Sequence, residues 1–144
     1  AASELLSEHG ISSEVWSVTS YGELRREGLE HERSRRLNPE ISDEPYVSRC
    51  FGDETPTVAT SDYICSVPEM IQRWIGGRYI VLGTDGFGRS DTREALRSFF
   101  EIDTNSIVVA SISALEQEGT LPSGTVEKEL EKRNLNKERI DKTE

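Results

Sequence analysis

The apolar positions along the chain change period several times. Ala1, Ala2, Leu5 and Leu6 fall on one face of a helix over residues 1–9, and Gly10 supplies its stop. The next stretch, SEVWSVTS, alternates Val15, Ser17 and Thr19 against Glu14, Trp16 and Val18. That β-branched period of two predicts a strand over 14–19. Ser20 followed by Glu23 is a capping box, which predicts a helix over 20–37 carrying Leu24 and Leu29. Pro39 and Pro45 make 37–45 a loop, and TPTVATS (55–61) predicts a short strand.

Residues 66–75, SVPEMIQRWI, predict a short helix with Ser66 as N-cap and Pro68 in its first turn. Met70, Ile71, Trp74 and Ile75 form its core stripe, and Gly76–Gly77 ends it. RYIVLG (78–83) is the clearest buried strand. Asp91, with Glu94 three residues on, opens a helix that runs to Phe99 and Phe100. Residues 106–119 begin β-branched, but Ile107, Ala110, Ala114 and Leu115 fit a helical stripe. Thr125 to Arg133 is a further helix, and the charged tail after Asn134 is expected to fray. Helices alternating with strands imply a parallel sheet covered by helices.

Composition narrows the function. The 144 residues suffice for one domain, yet only 34% are hydrophobic and the net charge is -10. That acidity opposes nucleic acid and anionic membrane surfaces, since both need clustered Lys and Arg. No apolar run reaches the length of a membrane span. Cys50 and Cys65 have no metal-ligand spacing; fifteen residues apart they could pair, but they read first as buried free thiols. His9 and His31 read as surface residues, and RREGLEHERSRR as a solvated helix face. Asp62 reads as an N-cap rather than a site residue. The chain starts in the middle of a helical pattern, as a fragment of a longer protein would.

The glycine-rich stretch GTDGFGRSDTRE (83–94) is the one candidate for chemistry. Its spacing is G-x-x-G-x-G, the reverse of the dinucleotide fingerprint, and it lacks the Lys of a phosphate-binding P-loop. Asp85 and Asp91 would repel a phosphate. The stretch instead suits a docking loop of Asp85, Gly86, Phe87, Gly88, Arg89 and Asp91. Gly86 and Gly88 allow positive φ or close approach. Arg89 and Arg93 can pair with Asp85 or with a neighbouring surface. Phe87 presents an aromatic ring at the tip.

EVWSVTSYGELRREG, PYVSRC, VATSDY and above all RYIVLGTDGFGRSDTRE resemble the C-terminal domain of the homodimeric bacterial pyruvate dehydrogenase E1 component. The likeness runs over residues 1–135 and leaves 136–144 as a charged tail. Many members carry a Trp and a His between Glu32 and Pro39, where this chain has Ser34 and Asn38. The resemblance implies a three-layer α/β/α fold with a mostly parallel sheet, transketolase C-terminal-domain-like. That sheet would be incomplete here at its N-terminal side, because two of the family's five strands precede Ala1. It also implies a cytoplasmic parent enzyme that uses thiamine diphosphate and Mg²⁺ to decarboxylate pyruvate and acetylate the E2 lipoyl group.

In such enzymes the metal motif is Gly-Asp-Gly followed by a distant Asn. Here Thr84-Asp85-Gly86 stands in its place and Asn105 is too close, so the cofactor is expected to lie outside this segment. The segment alone is expected to be inactive, with no catalytic, cofactor-binding or metal-ligating residue of its own. The implied partners are the other domains of the E1 chain, a second copy in the homodimer, and the E2 acetyltransferase. The competing reading is a binding module for a regulator or for an E2 partner.

Overall fold

The structure, a computed structural model, describes residues 1–135. The expected charged tail, 136–144, lies outside the described residues. The elements in chain order are α1 (Ala2–Glu8), α2 (Tyr21–Leu37), α3 (Tyr46–Phe51), β1 (Thr57–Thr60), α4 (Ser66–Glu69) and a 3₁₀ turn (Gln72–Trp74). They continue with β2 (Tyr79–Leu82), α5 (Arg93–Phe99), α6 (Thr104–Gln117) and α7 (Thr125–Lys132).

β1 and β2 pair in parallel, Thr57 opposite Tyr79 and Thr60 opposite Leu82. The connection between them passes through α4 and the 3₁₀ turn, as a parallel pair requires a crossover. The class is α/β, as expected, but among the described residues the sheet has two strands. The predicted strand over 14–19 is absent. Residues 11–19 have no regular structure, and Val15 and Trp16 are exposed. A strand needs a ladder partner for its backbone groups, and here β1 and β2 pair only with each other. Trp16 instead sets its ring edge-on to Phe51, with centroids 5.2 Å apart.

Two cores hold the helices. In one, Leu6 of α1 meets Val108 and Ile112 of α6, flanked by Ala2, Leu5, Leu121 and Val126. In the other, Val47, Ile71 and Trp74 pack with Tyr21, Leu24, Leu29, Phe51 and Tyr79 under α2 and α3. Tyr79 ties β2 into that second core and donates its hydroxyl to the Pro68 carbonyl at 3.0 Å. Burial pushes its phenol well above the ordinary value, and the neighbouring Tyr21 adds to the effect.

Several local expectations shift. Val108, Ile112 and Ala114, not Ile107, Ala110 and Leu115, are the fully buried residues of α6. That helix touches α1 and α7 as well as both strands, so its sides are covered all round and a single stripe does not describe it. Met70 is exposed while Ile71 and Trp74 are buried, because the helix breaks after Glu69 into a 3₁₀ turn. Ser66 is the first helical residue and not the cap; Cys65 precedes α4 without a side-chain cap bond. α5 is capped by Thr92, whose hydroxyl accepts the Ala95 N–H at 3.2 Å. Asp91 instead accepts the Thr92 N–H at 2.8 Å.

Two carboxylates finish the C-terminal half. Glu116 of α6 accepts the Val126 and Gly124 N–H groups, each at 2.8 Å, and so caps α7 from a neighbouring helix. Those backbone donors hold its carboxyl below the ordinary glutamate value. Glu129 is 4% exposed, with Arg133 Nε at 3.0 Å and His9 Nε2 at 3.2 Å. His31 faces Asp43 at 3.2 Å. Both histidines therefore stand against carboxylates, which a reading as plain surface residues missed.

Candidate functional site

The loops that leave β1 and β2 emerge side by side at the carboxyl ends of the two strands, where open α/β sheets present their functional surface. Three hydrogen bonds fasten them together. The Thr84 N–H donates to the Tyr63 carbonyl at 2.9 Å, and the Thr84 hydroxyl to the Asp62 carbonyl at 2.9 Å. The Cys65 N–H donates to the Asp85 carboxylate at 3.2 Å. Gly83 is buried at this seam, and a Cβ there would stand 2.7 Å from the Tyr63 carbonyl oxygen and 2.8 Å from the Cys65 nitrogen. Glycine at 83 is what lets the loops close this tightly.

The residues expected to form a docking loop are spread along this irregular stretch. Asp85 is turned inward to the Cys65 N–H and has no ion pair with Arg89 or Arg93. Gly86 holds φ at +115°, a conformation that L side chains rarely adopt. Phe87 is 73% exposed at the tip. Gly88 faces open space. Arg89 lays its guanidinium 4.6 Å from the Phe99 ring centroid, a cation–π contact that anchors the loop to α5. Asp91 is engaged at the start of α5.

Sequence reasoning missed the second loop. Asp62 is no N-cap; its carbonyl is part of the seam, and the two residues after it, Tyr63 and Ile64, are 68% and 50% exposed. The signal was in the sequence, as two large side chains between Asp62 and Cys65 outside any amphipathic period. Beside β1, a cleft of about 610 Å³ is lined by Thr60, Asp62, Arg97, Asp103 and Asn105. Asp103 in it is committed to Ser106 as the cap of α6, and Asn105 accepts from Arg133. The thiols of Cys50 and Cys65 are not joined, and both residues are half-buried rather than buried.

The Thr84-Asp85-Gly86 triplet offers one acid to a thiamine diphosphate–Mg²⁺ pair, Asp85, whose carboxylate accepts the Cys65 N–H. Among the described residues, no three His, Cys, Asp or Glu side chains converge as a metal ion would need. None of the described helices is long and apolar enough to cross a membrane.

The transketolase-like TK C-terminal domain model matches residues 1–103, which run from α1 through both strands and the paired loops to the end of α5. The chain belongs to that family. It is 42% identical to the pyruvate dehydrogenase E1 component of Pseudomonas aeruginosa, over 96% of this chain and 16% of that protein. The Mycolicibacterium smegmatis E1 component is 45% identical over 84% of this chain and 13% of its own length. The Escherichia coli K12 E1 component is 39% identical over 97% and 16%. The chain thus spans 13–16% of the length of these relatives. α6 and α7 lie beyond the family match, yet the Pseudomonas and Escherichia likenesses extend over nearly the whole chain.

Proposed function

We propose that this chain is the C-terminal structural domain of a pyruvate dehydrogenase E1 component. The observation that carries this reading is the likeness to E1 components, 42% identity over 96% of the chain. The parent is a cytoplasmic homodimer that uses thiamine diphosphate and Mg²⁺ to decarboxylate pyruvate and to acetylate the lipoyl group of E2. Residues 1–135 form the domain, which supports the dimer and leaves the cofactor to other domains. The loop of Asp85, Gly86, Phe87, Gly88, Arg89 and Asp91 docks on a neighbouring domain, and Phe87 is its anchor.

The test is Phe87→Ala in the full-length enzyme, with a thermal melt and a thiamine diphosphate titration on the same sample. Truncating an enclosed Phe costs about 3–5 kcal/mol, and less at a rim. The expected result is a lower melting temperature or a looser dimer, with cofactor affinity nearly unchanged once assembly is accounted for. A large loss of cofactor affinity at unchanged stability would mean that the loop serves the cofactor site directly.

A further inference from the structure

We infer that the Ser61–Cys65 and Gly83–Gly88 loops act as one docking surface, on which Tyr63, Ile64 and Phe87 together cover an apolar patch of the parent protein's other domains. The inference rests on the reading of this chain as one part of an E1-type protein and adds a second loop to its contact. The seam is the reason to join them. Thr84 gives two hydrogen bonds to the first loop, and Asp85 receives one from it. With Gly83 wedged against the Tyr63 carbonyl, neither loop can shift without the other. Asp85 is therefore a positioning residue that holds the base of the Phe87 loop against the Tyr63 loop.

The area involved selects the occupant. Tyr63, Ile64 and Phe87 are 68%, 50% and 73% exposed. Covering them removes roughly 350–400 Å² from water on this side. Doubled for the partner, these three side chains supply about 700–800 Å², short by themselves of the roughly 1,000 Å² of a specific contact between free chains. A domain tethered in the same protein needs no such area, because its effective concentration is already high. The relatives also offer ample polypeptide, since this chain spans only 13–16% of their length.

Side-chain oxidation footprinting on the full-length protein reads all three residues separately. In the parent sequence, Tyr63, Ile64 and Phe87 are expected to react several-fold more slowly than exposed side chains. Tyr63→Ala should raise oxidation of Phe87 at least threefold, and Phe87→Ala should do the same for Tyr63, with buried Trp74 unchanged in both. A slow Phe87 beside a fast Tyr63 would sink the two-loop surface and leave the single docking loop standing. If both react fast in the parent, both readings fall. Protection that vanishes on dilution to monomer would assign the patch to a second copy and overturn the proposal.

Discussion

Gly28 lies in the middle of α2, where alanine is ordinarily the better helix former by about 1 kcal/mol. The structure reverses that expectation. A Cβ on Gly28 would sit 2.6 Å from two ring carbons of Trp74 and 2.8 Å from a third, against the roughly 3.5–4.0 Å of an ordinary carbon contact. The indole cannot simply turn away. It is buried between Val47 and Ile71, and its Nε1–H donates to Glu32 Oε1 at 3.0 Å. Relief takes a ring shift of about 1 Å. Overpacking of that kind costs about 1–3 kcal/mol, and a strained bond to a charged acceptor adds about 1 more. With the propensity gain subtracted, Gly28→Ala should destabilise by about 1–3 kcal/mol, or about 4–12 °C in melting temperature. Gly22 in the same helix is the control, because its Cβ would meet only Ser20 Oγ, at 3.9 Å. Gly22→Ala should therefore be neutral or slightly stabilising. The assay is a thermal melt of both variants in one background. A Gly28→Ala protein that melts at or above the parent would refute the close approach of α2 to Trp74.

Two further predictions concern the C-terminal half. Glu116 is held below its ordinary value by the Val126 and Gly124 N–H groups, so it stabilises the fold fully above the unfolded-state value. That contribution is lost as pH falls through the lower folded value; acid melts from pH 6 to 3 should show a smaller loss in Glu116→Gln than in the parent, and equal slopes would refute the cap. Glu129→Ala leaves Arg133 and His9 facing an empty buried position and should cost about 3–5 kcal/mol. Chemical denaturation would measure it, and a loss under about 1 kcal/mol would mean that the cluster is wet.

What the sequence revealed follows from the range of the interactions. Ser20 is the N-cap of α2 as its pattern says, and accepts the Glu23 N–H at 3.2 Å. Only half of the capping box forms, however, because the Glu23 carboxylate turns to Arg26 at 2.7 Å. The α5 cap moved by one residue because Asp91 and Thr92 are both capping types, and local pattern does not rank them. α3 went unread because six residues are too few for a periodic stripe, although Pro45 stands at its N-cap. At the site, the exposed Phe87 was legible from its glycine neighbours. Tyr63 and Ile64 stood out only as large side chains outside any period; their place beside Phe87 was hidden, because the bonds of the seam join residues about twenty positions apart. Local periodicity has no access to such pairs.

The unmet demands of this fold are unevenly placed along the chain, and their placement supports the view of it as one domain among several. Parallel strands are ordinarily buried on both faces, and two strands rarely stand alone. Here no residue of β1 or β2 is fully buried. Residues 11–19 have a strand's composition without a strand's partner. Each large hydrophobic side chain noted as exposed lies between Val15 and Phe87: Val15, Trp16, Leu37, Tyr46, Tyr63, Ile64, Met70 and Phe87. From residue 88 to the end of the described chain, the large apolar side chains are at least partly covered, and two acids of the helices are answered. Glu116 caps α7, Glu129 meets Arg133, and Leu121 and Val126 close over the α1–α6 core. α6 and α7 thus complete themselves, while the stretch that holds both strands and both loops leaves apolar surface and strand edges unanswered. That exposure falls in the half of the chain that also carries both strands and both loops of the seam.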